Sequence, residues 1–137
     1  MSLFRVFDVA ATGMSSQSTR LNTTASNLAN AENTAGSPEE VYKPRHPVFA
    51  TVLDAFSPDE AGKGVKVEGI VEDNSPPRQI YAPENPQADE NGYIYMANVN
   101  AVEEMANMIS ASRSYQMNVE IMNTTRQLLV RTLQIAE

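Results

Sequence analysis

The stretch LNTTASNLANAENTAG, residues 21–36, spaces its apolar residues as a helix does, yet the remaining face is Asn, Thr and Ser with Glu32 as its only charge. Helices that face water ordinarily carry Lys, Glu and Arg there, because those side chains are well hydrated and favour helix, whereas Asn and Thr cost helix stability. Amides and hydroxyls both donate and accept, so they can satisfy one another across close-packed surfaces without the penalty of burying a charge. Such a face suits a helix surrounded by other helices, those of neighbouring molecules included. Toward the chain start, Leu3, Phe7, Ala10, Met14, Gln17, Leu21, Thr24 and Leu28 follow alternating steps of four and three. That is the seam of a helix packed along its length. Gly36 and Pro38 close this arm, giving an N-terminal helix over 1–36.

All eight prolines of the 137-residue chain fall between Pro38 and Pro86. Proline is excluded from helix interiors, so a second proline-free arm is expected over 99–137. Asn100 followed by Glu103 has the form of a capping box, and Glu103 and Glu104 stand where the helix dipole favours anions. From there a seam runs through Met105, Met108, Ser112, Tyr115, Val119, Met122, Arg126, Leu129, Leu133 and Ala136. The middle, 37–98, reads as a small β-rich domain. VFATVL (48–53), GVKVEGIVE (64–72), RQIYA (78–82) and GYIYM (92–96) are short and rich in β-branched and aromatic residues. Turn formers at Ser57-Pro58, Gly62, Asn74 to Pro77 and Asn91-Gly92 separate them. The fold class expected is α+β: long terminal helices paired in a coiled-coil-like bundle around a small β-rich middle.

Charge is unevenly spread. The net charge is −7, and residues 36–98 hold eleven acids against five bases, while the two arms are nearly neutral. This argues against a nucleic-acid partner, for which a basic face is expected. With no cysteine and one histidine there is no thiol nucleophile, no disulfide framework and little scope for zinc. His46, wedged in PRHPVF, reads as a loop or strand-edge residue. The set Asp89, Glu90, Asn91 reads as a solvated turn, because the ligand spacing of a calcium loop is absent. No catalytic residue, metal, cofactor or small-molecule substrate is expected. Arg5 and Asp8 interrupt the apolar start, so it lacks the form of a cleaved secretory signal, and no segment has membrane-spanning length. The methionines Met105, Met108, Met117 and Met122 are expected to face protein.

Two long motifs then point to a family. ATGMSSQSTRLNTTASNLANAENTAG, with its small-Gly-Met start and Asn-Leu-Ala-Asn core, resembles the N-terminal motif of bacterial flagellar axial proteins, the rod and hook group. NVNAVEEMANMISASRSYQMNVEIMNTTRQLLVRTLQIAE resembles their C-terminal motif, with Glu104-Met105, SASRSYQ at 110–116 and Asn118 in matching positions. The short length, YKPRHPVF and the small middle are most similar to the proximal-rod branch. The resemblance implies a structural subunit assembling with copies of itself and other rod proteins, exported by the flagellar type III apparatus without a cleaved signal, and located in the periplasm. It further implies that the arms build the tube wall and the acidic middle faces outward. The residues expected to carry helix packing and assembly are Leu3, Phe7, Met14, Leu21, Asn27, Leu28, Asn30, Met105, Met108, Arg113, Tyr115, Val119, Met122, Leu129 and Leu133. In a packed wall the Arg113 guanidinium can bridge backbone carbonyls or a carboxylate of an adjoining subunit, while Tyr115 sits in the seam between the arms. The competing reading is a soluble helical adaptor or export chaperone.

Overall fold

The computed structural model describes residues 3–52 and 64–135. Helix α1 spans Leu3–Ala29 and helix α2 spans Ala101–Ile135. Between them lie β1 (Thr34–Ala35), β2 (Arg45–Thr51), β3 (Val65–Glu72), β4 (Arg78–Tyr81) and β5 (Tyr93–Met96). The expected turns at Ser57-Pro58 and Gly62, the last residue of VFATVL and the seam position Ala136 lie outside the described residues.

The first arm is helical over less than its expected length. At Asn30 the side-chain Nδ2 donates to the Ser26 carbonyl at 2.8 Å, beside the backbone bond from the same residue's N–H, and Asn33 N–H then turns back onto the Asn30 carbonyl. Asn competes for backbone groups in this way and so favours helix ends. Four residues later Thr34 and Ala35 pair with Met96 and Tyr95, which commits the chain to a sheet. The second arm begins as expected: Asn100 Oδ1 accepts from Val102 N–H at 3.1 Å and Glu103 N–H at 3.4 Å. This satisfies donors that no preceding helical turn could reach.

The strands form two separate antiparallel units. One sheet has the order β1-β5-β4; the other is the ribbon β2-β3, with a register shift between Val48 and Phe49. Arg45 and Glu72 close the outer end of the ribbon with an ion pair of 3.0 Å between half-exposed side chains. Exposed pairs of this kind contribute little to stability. A two-stranded ribbon is marginal on its own, and here it lies along α1, which contacts α2, β2 and β3. A small hydrophobic cluster of Ala31, Val41, Ala97 and Val99, edged by Ala35, Tyr42 and Tyr95, forms where the arms meet the three-stranded sheet. At the far end of that sheet Asp89 accepts from the Tyr93 and Asn91 N–H groups at 2.8 and 2.9 Å and from Tyr95 Oη at 3.1 Å. These bonds, the Tyr93 amide first, hold its carboxyl below the usual carboxylate range, whereas burial and the bond to Asp89 push the Tyr95 phenol up. This is the turn expected around Asn91-Gly92.

Candidate assembly interface

α1 and α2 run antiparallel, with Arg20 Nη2 donating to Asn107 Oδ1 at 2.8 Å and Gly13 level with Asn118. A Cβ at Gly13 would stand 3.0 Å from Asn118 Nδ2, so the Asn118 amide packs directly over the glycine and would have to shift to admit a larger residue. Ala10 and Ala111 are buried in the same interface region of their helices. The inner line of α2 runs through Glu104, Met108, Ala111, Tyr115, Asn118, Met122, Thr125 and Leu129, all buried or half-buried. Met108, Tyr115, Met122 and Leu129 are half-buried along this line. The alternate expected positions do not stand on it: the fully buried residues are Glu104, Ala111 and Thr125, each one residue before Met105, Ser112 and Arg126. Met105 and Arg113 face away from α1 and are exposed, Leu133 continues the inner line but is exposed because α2 runs on beyond the start of α1, and Val119 flanks the seam half-buried. The most buried inner positions, Glu104, Ala111 and Thr125, alternate with the larger half-buried Met108, Tyr115, Met122 and Leu129, so large and small residues interleave against α1. Glu104 and Gln17 each bury one side-chain oxygen that finds no partner.

On α1, Leu3, Phe7, Met14, Leu21 and Leu28 are half-buried along the expected seam. The amide and hydroxyl face has a different neighbour from the one its composition suggested, because the ribbon of the same chain covers part of it. Thr12 Oγ1 accepts from Val65 N–H at 3.2 Å. Asn27, fully buried, pairs with the backbone of Arg45 as another strand would: its Nδ2 donates to the Arg45 carbonyl and its Oδ1 accepts the Arg45 N–H, both at 2.9 Å. Tyr42 Oη donates to the same Oδ1 at 2.9 Å and lies 3.2 Å from Ser26 Oγ. The buried polar group is therefore satisfied on both sides. Asn27 was legible as a packing residue; its partner, 18 positions on, was not.

Among the described residues the outer side of α2 is left open. Val102, Met105, Ile109, Met117, Ile121 and Leu128 recur at helical spacing, all exposed, on the face opposite α1. Shallow surface grooves lie along it beside Ile109 and Met117 and beside Met117 and Ile121. Exposed apolar surface of this extent marks a contact with another macromolecule. Among the described residues there is no cluster of side chains that could hold a metal, and no helix long and apolar enough to cross a membrane.

These features define a structural subunit that packs helix on helix, with one apolar helix face held in reserve. Comparison with known proteins agrees. Residues 7–36 match the family described as flagella basal body rod protein, and residues 90–135 match the C-terminal family of flagellar basal body rod FlgEFG proteins. The chain is 44% identical to the flagellar basal-body rod protein FlgC of Salmonella typhimurium and to that of Yersinia enterocolitica. It is 42% identical to the FlgC of Escherichia coli O157:H7, and each alignment covers the whole of both chains. The chain belongs to the FlgC family of flagellar basal-body rod proteins, and it is a structural subunit of the rod.

Proposed function

We propose that this chain builds the proximal part of the rod by packing its arms between those of other copies and of other rod proteins, with the domain of residues 37–98 on the outside of the tube. The single observation that carries this is the outward apolar line of α2, which is exposed and has no cover among the described residues. The nearly neutral arms and acidic middle support the same orientation, since charge is cheapest where water remains. The subunit reaches the periplasm through the flagellar type III export apparatus with its N-terminus intact, and the reading assigns it no catalytic step and no membrane insertion. The adaptor reading is not favoured by the family.

The test is to isolate basal bodies from cells carrying a tagged copy as their sole source of the protein. The subunit should be found in completed rods, and mass spectrometry should find an N-terminal peptide that starts at residue 1 or 2. Rods that form normally without the chain would overturn the placement, and a processed N-terminus would overturn the export route.

A further inference from the structure

The proposed rod role leaves open which faces of the arms meet. On α1, one side packs against α2 and another against the ribbon. The line left over is Phe4, Asp8, Ala11, Ser15 and Ser18, spaced by four and three. It is narrow in profile beyond Phe4, which is 71% exposed, and Asp8 is its one charge. On α2 the outward line near the helix start is Val102, Met105, Ile109, Arg113 and Met117, large and apolar with Arg113 as its one charge. Neither Asp8 nor Arg113 has a partner in its own chain among the described residues.

We infer that these two lines are the halves of one contact between copies, α1 of one copy lying antiparallel on the outer face of α2 of the next with Asp8 against Arg113. That register, which rests on the rod reading above, puts Phe4 over Met117, Ala11 beside Ile109 and Ser15 beside Met105. Large residues meet small ones, and the exposed aromatic ring meets a thioether, a favourable pairing. Sliding by two turns in one direction sets Asp8 against Glu120, a like charge, and in the other leaves Arg113 beyond the start of α1. Opposite and like charges thus select the register. The partner must be another molecule, because within one chain the two lines point away from each other. A second copy is the occupant because this chain carries both halves and the complementary charges. Copies that stand in the same direction present α1 antiparallel to the neighbouring α2, since the two helices are antiparallel within each copy. A contact between two different patches repeats from copy to copy into a ring or a helix, as a tube requires.

The chain has no cysteine, so cross-links can be read without background. Two differently tagged copies, one with Phe4→Cys and one with Met117→Cys, are expressed together and basal bodies are oxidised under mild conditions. A mixed disulfide between the tags is expected, and the pair Ala11→Cys with Ile109→Cys should behave in the same way. Separately, Asp8→Arg and Arg113→Asp should each lose most completed rods, and their combination should regain them. Incorporation of both cysteine variants at the wild-type level without a mixed disulfide from either pair overturns this register while leaving the rod role intact. Failure of the charge exchange to restore rods would do the same. Absence of the wild-type chain from basal bodies would overturn the rod role itself.

Discussion

Replacing Asn27 by alanine tests whether one side chain ties the first arm to the ribbon. The substitution removes three hydrogen bonds: two with the Arg45 backbone at 2.9 Å and one from Tyr42 at 2.9 Å. It orphans the Arg45 N–H and C=O, and each buried backbone group left unpaired costs about 1–3 kcal/mol. Arg45 is on an exposed strand, so water can reach part of this backbone and the lower end of the range applies. Tyr42 retains Ser26 as a neighbour and loses less. Against this, alanine improves helix propensity by about 0.5 kcal/mol. The balance is a destabilisation of about 2–3 kcal/mol. Urea unfolding followed by circular dichroism measures it as a lower midpoint at unchanged slope. Tyr42→Phe alone should cost about 1 kcal/mol, and the double variant should cost less than the two together, because they share one hydrogen bond. If Asn27→Ala unfolds within about 0.5 kcal/mol of wild type, the size expected of an inert surface change, the amide is not what holds ribbon and helix together.

The turn around Asp89 should loosen in acid. Its carboxyl titrates below the usual 3.8, so its contribution is complete above that pH and is lost only as pH falls through the lowered value; amide shifts of Asn91 and Tyr93 should report this, and a midpoint at or above 3.8 would contradict it. Gly92→Ala should destabilise the same hairpin by about 1 kcal/mol or more, since φ is +83° and a Cβ would meet Tyr81 at 3.0 Å; an unchanged melting temperature would refute it. Gly13→Val should drive the helices apart at Asn118 and reduce completed rods in isolated basal bodies, whereas Ser18→Val, at an exposed position, should leave the subunit's own stability unchanged. Leu28→Asp and Leu129→Asp put a charge in the helix seam and should each abolish swimming at normal protein level; normal motility in both would remove the seam's importance.

The periodicity of the arms and the alternation of the middle were enough to read the two helices, four of the five strands and the α+β class. The short strand β1 was hidden because Thr34-Ala35 has no pattern of its own and becomes a strand only by pairing with Met96 and Tyr95. The α2 seam was half legible for a related reason. That helix is apolar on two sides, so hydrophobic spacing alone does not say which side meets α1. The polar contacts between the helices, Asn118 over Gly13 and Arg20 to Asn107, mark the inner side, and a buried Glu104 lies outside anything a hydrophobic pattern can express. The polar face of α1 is only partly covered: Ser16, Thr23, Thr24 and Asn27 are buried, while Ser15, Ser18, Asn22 and Ser26 are exposed. Its cover by the ribbon was invisible because the decisive bonds run from a side chain to the backbone of Arg45, and backbone groups carry no sequence signal.

The middle of the chain leaves α1 and returns to α2 through adjacent strands, β1 and β5, with Ala97 N–H bonded to the Asn33 carbonyl beside them. In mechanical terms this is a clasp at the root of a side arm. A force pulling the middle domain along these strands loads their hydrogen bonds side by side in shear, and a force across them would open the bonds one after another. A load on the middle domain would therefore reach the helices as a rigid couple in one direction and be absorbed by the clasp in the other, leaving the helix pair undisturbed.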